Sequence, residues 1–219
     1  MTPDSTSSTE QPDTTTRVSL REQLGAALPD FTLVVPDGWK RVPVDEAGEA
    51  LVQGLVSEKM MQTGRPDLMA YLRRMLREGF EEMRQSGATA VFMPIDPSGQ
   101  GYLGVPTSII AVIRKSEPGA SLDEYVTHAI RRYDAKPLFD DMRTVRFETE
   151  KSHEVDGGTI VVSSTHYVTP MPGSRRQRAL ELIATYSKPE GTPRTDEKLE
   201  MLHALFDVCA STVRWVAPA

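Results

Sequence analysis

Between residues 46 and 86 the apolar positions recur every three or four residues, whereas much of the chain from residue 88 onward gathers them into β-branched runs separated by Gly, Pro and Ser. The first pattern predicts helices and the second strands. Helices are expected over 46–62 and 66–86, divided at "TGRP", where Gly64 can end one and Pro66 can start the next. In the second, Leu68, Leu72, Met75, Leu76, Phe80 and Met83 share one face, while Arg73, Arg74, Arg77, Glu78, Glu81 and Glu82 fill the other. Such a helix packs by one side only.

Strands are expected at "ATAVFMPI" (88–95), "TSIIAVIRK" (107–115), "RTVRFETEK" (143–151), "GTIVVSSTHYVT" (158–169) and "RALELIATYS" (178–187). Gly157-Gly158 predicts a hairpin between the third and fourth of these, and "PMPGSRR" a looser one between the fourth and fifth. Ser121 and Glu124 form a capping-box pattern ahead of a helix reaching about residue 133. The closing "TDEKLEMLHALFDVCASTVRW" predicts a helix with Leu199, Leu202, Phe206, Cys209 and Val213 on one stripe and Met201, Leu205 and Val208 beside it. So wide an apolar face must lie against a sheet. Near the start, "SLREQLGAAL" predicts a short helix and "DFTLVVP" a strand closed by the "PDG" turn, with Trp39 as a core or rim aromatic. Residues 1–17 carry almost nothing apolar and are expected to be a disordered tail to a single domain over 18–219. Hairpin-linked strands with helices before and after them give an α+β fold: an antiparallel sheet flanked by helices.

Composition narrows the function. A net charge of −6 argues against a nucleic-acid partner, because phosphate neutralisation needs a basic face. No apolar run approaches the roughly 20 residues of a membrane span, and the N-terminus has neither the basic nor the apolar region of a signal peptide. These features lead to an expected cytoplasmic location. The single cysteine, Cys209, sits in an apolar helical pattern and reads as a buried, inert thiol. Asparagine is absent and arginine far outnumbers lysine, a bias expected of a GC-rich genome such as an actinobacterial one.

The stretch "GQGYLG" (99–104) matches the glycine spacing of a dinucleotide-binding turn. That turn works only where a helix N-terminus follows to meet the pyrophosphate. Here "VPTSIIAVIRK" follows, so the glycines predict a loop between strands, with Tyr102 at its tip as a contact residue. His128, His153, His166 and His203 form no H-x-x-x-H or H-E-x-x-H spacing, and neither a metal nor a cofactor is expected. Ser164 and His166 share one face of a strand and are the one candidate pair for hydrolysis, although G-x-S-x-G is absent. Met60, Met61, Met69, Met75, Met83 and Met93 cluster in a short span. Methionines adapt to irregular apolar partners; they read either as core or, at Met60, Met61 and Met69, as a binding groove near the helix break.

"FTLVVPDGWKRV" near the start, "YVTPMPG", "ALELIATYSKPEG" and "LHALFDVCASTVRW" toward the end resemble PsbP-like proteins, the superfamily of the photosystem subunit PsbP and the Ran-binding Mog proteins. The resemblance spans most of residues 31–216, with the middle helices matching in pattern only. It implies an α/β/α sandwich. It also implies a non-enzymatic role, since members are mostly binding and assembly factors, some of them chaperones in bacterial secretion. The expectation is therefore a protein that binds another protein, as an adaptor or secretion-associated chaperone, with a homodimer as one possible arrangement. A small hydrolase using Ser164 and His166, and a lipid or small-ligand carrier, are the alternatives.

Overall fold

The computed structural model describes residues 29–216 apart from 63, 65–67, 96–102, 118, 119, 156, 157 and 194. The expected tail, the expected helix at 19–28, and most of the glycine loop with Tyr102 lie outside the described residues. In chain order the elements are β1 (Asp30–Thr32), β2 (Trp39–Pro43), α1 (Glu46–Gln62), α2 (Met69–Gln85), β3 (Ala88–Pro94), β4 (Thr107–Lys115), α3 (Asp123–Tyr133), β5 (Lys136–Leu138), β6 (Asp141–Val155), β7 (Gly158–Pro170), β8 (Arg178–Pro189), α4 (Glu197–Ser211) and β9 (Arg214–Val216).

Seven strands form one antiparallel sheet in the order β2-β3-β4-β8-β7-β6-β5. Alternation along each strand sends side chains to opposite faces. On one face Phe92, Ile109, Ala111, Leu180, Leu182, Ala184 and Tyr186 meet Leu199, Leu202, Phe206 and Cys209 of α4, making the main core. On the other, Val91 and Ile110 pack with Val52 of α1 and Phe80 of α2, and Phe147, Val168 and Ala179 pack with Ala129 of α3. The result is an α+β fold with helices on both faces of an antiparallel sheet.

The closing helix is shorter than its sequence pattern. It starts at an Asp196 cap, whose carboxylate accepts the Lys198 N–H at 3.0 Å, and stops at Ser211. Thr212 donates its hydroxyl to the Cys209 carbonyl and accepts the Val34 N–H at 2.9 Å. The β-branched, aromatic "TVRWV" then leaves as β9, which pairs with β1 and sets Trp215 edge-on to Phe31 at 6.5 Å. Trp215 is thus a strand residue. The capping box at Ser121 does not form either: α3 begins after Leu122, and the Ser121 hydroxyl accepts the Asp123 N–H at 3.2 Å. That register leaves Glu124 within the first turn.

At the start of α1, Gly48 packs directly on the end of β2. A Cβ there would overlap the Pro43 carbonyl oxygen and press on the Val42 side chain. Backbone contacts of this kind cannot relax by a rotamer change. Gly48→Ala is therefore expected to destabilise the fold by about 1–3 kcal/mol, read as a lower denaturant midpoint at unchanged m-value.

Candidate functional site

The three-helix face is covered at both ends and left half-open between them. Across it, the register aligns Val112, Glu181 and Val168; then Ile110, Ile183, His166 and Phe147; then Ser108, Thr185, Ser164 and Thr149. Glu181 is fully buried there, in the central strand β8. A carboxylate without water must have partners. Glu181 accepts a hydrogen bond from the Arg114 guanidinium, another from the Tyr125 hydroxyl at 2.9 Å, and bonds His166 Nδ1 at 2.8 Å. Burial acts to raise its pKa, but the His166 hydrogen bond and the Arg114 charge outweigh it, and the net direction is down. Tyr125 moves the other way: burial and the adjacent carboxylate both raise its pKa.

His166 is fixed on every side. Its ring stacks on Phe147 at 4.5 Å, and Phe147 in turn stacks on Tyr133 at the end of α3. Its Nδ1 bonds the Glu181 carboxylate at 2.8 Å and its Nε2 bonds the Thr149 hydroxyl at 3.0 Å. Both ring nitrogens are therefore engaged, and Ser164 is not one of the partners. The expected Ser164–His166 pair shares a face, as its spacing requires, but is not joined. The Ser164 hydroxyl has no hydrogen bond among the described residues.

Beside this network, between α1, α2 and the sheet, lies a cavity of about 410 Å³. Val52 and Val56 line it from α1, Leu72, Met75, Gly79 and Met83 from α2, and Met93 and Ile110 from the sheet; Ser108 supplies the one polar side chain of its wall. Gly79 matters most. A Cβ built on it would touch nothing within 4 Å, so this glycine answers to no tight contact, and in a helix it costs about 1 kcal/mol relative to alanine. Its effect is to leave the space open.

The methionines divide. Met75, Met83 and Met93 line the cavity, whereas Met60, Met61 and Met69 do not. Met61 is exposed, at 67%, while Met60 and Met69 are half-buried. Tyr102 lies outside the described residues. On the α4 face, Asp207 accepts from Arg146 at 2.7 Å and from the Tyr167 hydroxyl at 2.6 Å, and His203 bonds the Tyr186 hydroxyl at 3.0 Å. The hollow beside Tyr186 and His203 encloses only about 10 Å³. No group of three or more His, Cys, Asp or Glu side chains placed to hold a metal occurs among the described residues. Cys209 is buried and its thiol pKa is pushed up to about 11 by that burial, so it carries little nucleophilic thiolate. No helix among the described residues is long and apolar enough to cross a membrane.

No protein-family model matches the chain, and no curated protein matches it. Membership of the PsbP-like superfamily is accordingly not shown. Among solved structures, the chain is similar to LpqN of Mycobacterium tuberculosis, described as involved in cell envelope biogenesis. The TM-score is 0.42 and the identity 11%, over 86% of this chain and 84% of that one. A likeness of that size fixes neither fold nor function.

The lowered Glu181 pKa gives a signed pH dependence. Its stabilisation is fully present above the ordinary glutamate value of 4.5 and is lost as pH falls through the lower native value. Thermal unfolding followed from pH 7 down to pH 3 should show Tm falling below the ordinary glutamate range. Glu181→Gln, which removes the titrating group, should have a lower Tm at pH 7 and a flatter acid limb.

Proposed function

We propose that this protein is a binding protein for a small apolar ligand held between α2 and the sheet. The observation that carries the reading is the cavity kept open at Gly79. At about 410 Å³ it falls within the roughly 300–1,000 Å³ of small-ligand sites, which are mostly apolar with a few placed polar groups. Water gains little there, because a water molecule needs two to four polar partners and the wall offers Ser108 alone. An apolar ligand gains the full burial of its surface, and the Met75, Met83 and Met93 thioethers can repack around its shape.

Several features support binding over hydrolysis. His166 has both nitrogens engaged, Ser164 has no base in contact, and Cys209 is held as a buried thiol. Ser164 lies on β7, an interior strand paired on both sides with β6 and β8, so the backbone N–H groups beside it are committed to the sheet and not turned toward an oxyanion.

A second reading, docking of another protein or of a second copy of this chain, draws on the outer side of the helical pair. There Leu51, Met61 and Tyr71 are exposed, at 47–67%. One set of variants separates the two readings. Gly79→Leu fills the cavity from a position with room for a Cβ and improves helix propensity. It should abolish binding of methyl laurate by calorimetry while holding or raising Tm, a combination that mere misfolding would not give. Met61→Glu should leave that binding intact. A protein partner on the outer side would show the reverse dependence.

A further inference from the structure

We infer that the cavity continues into a head-group site on the exposed strip of the sheet, and that the ligand is a single-chain amphiphile with an uncharged, oxygen-rich head. This rests on the apolar site proposed above. Ser108, the polar residue of the cavity wall, begins an unbroken row of hydroxyls across four adjacent strands: Ser108 pairs with Thr185, Thr185 with Ser164, and Ser164 with Thr149. All four are half-buried and lie on the cavity's face of the sheet, in the gap between α2 and α3. At a strand spacing of about 4.8 Å the row runs some 14 Å from the cavity mouth.

Cross-strand Thr and Ser pairs are ordinary in sheets, and Ser108 and Thr185 do bond each other at 3.1 Å, as Thr149 does His166 at 3.0 Å. Ser164, between these two pairs, has no partner among the described residues. The centre of the row thus has a free donor and acceptor, flanked by hydroxyls with lone pairs to spare. The acid two rows away, Glu181, is neutralised by Arg114 and saturated by Tyr125 and His166. Lys151, the next residue on this face of β6, is exposed to solvent. A charged head in the row would lose its hydration without gaining a buried counter-charge, whereas the hydroxyls of an uncharged head would find matching donors and acceptors.

The test compares three ligands with the same chain, methyl laurate, laurate and monolauroylglycerol, by calorimetry below their micelle concentrations on wild type and on Ser164→Ala/Thr185→Val. Wild type is expected to bind monolauroylglycerol at least about fivefold tighter than methyl laurate, the worth of one net hydrogen bond. The double variant is expected to remove that preference and leave methyl laurate binding unchanged, which also shows that it folds. Equal affinities in wild type, a preference for laurate, or a variant that weakens both esters alike would overturn the inference. Methyl laurate binding without preference would overturn the head-group site alone and leave the apolar site standing. No binding of any of the three would overturn both.

Discussion

Seven antiparallel strands send alternate side chains to two faces, and each face must be covered by something apolar. The α4 face meets this demand with one helix and the β1–β9 ribbon, whose Phe31 and Trp215 complete the main core. The opposite face is met by two separate covers, the α1–α2 pair over β2–β4 and α3 over β6–β8. They do not join. The hydroxyl strip lies in that gap, and the cavity lies beside it beneath the α1–α2 cover.

One edge of the gap is tied to the sheet through a desolvated carboxylate. Glu181, wholly buried in the central strand, has to be met by Arg114 from β4, Tyr125 from α3 and His166 from β7. These bonds hold α3 at its place on the sheet and orient the His166 ring, so that the side of the network toward Thr149 is polar and fixed. Replacing one partner of such a pair leaves a buried charge without compensation, a cost of several kcal/mol. The network therefore resists sliding of α3 toward α2. On the other side of the gap, Gly79 leaves one lining position of α2 without a side chain. A fixed polar wall and an unfilled apolar hollow meet at Ser108.

Much of this fold was legible in the sequence, and the reasons are local. Periodicity placed α1, α2, β3, β4, β7 and β8 close to their observed bounds, because each is long and its pattern is strong. The short strands β2, β5 and β9 were missed: three to five residues carry too little pattern, and β9 was absorbed into the preceding helix. The site was less legible. Glu181 stands alone among apolar residues in "RALELIATYS", and Gly79 interrupts a helical run in "REGFEEM". Both were signals of a kind, an acid where a core residue belongs and a helix-weakening residue without a turn. Neither reveals its meaning without its neighbours, since Arg114 and Tyr125 lie 67 and 56 residues away from Glu181. The sequence singled out Met60, Met61 and Met69 at the helix break, of which Met61 is exposed and the others half-buried, while the methionines that line the hollow are Met75, Met83 and Met93. Which side of a helix faces a cavity depends on how the helix rolls on the sheet, and that is set by packing.

The central claim is that an apolar molecule enters between α2 and the sheet, and the methionine methyl groups report on it directly. In a carbon–proton correlation spectrum of methyl-labelled methionine, titration with methyl laurate should shift the Met75, Met83 and Met93 signals. Met142 and Met201, exposed elsewhere at 79% and 52%, should stay in place. Shifts confined to Met61, Met142 or Met201, or no shifts at saturating ligand, would contradict the account.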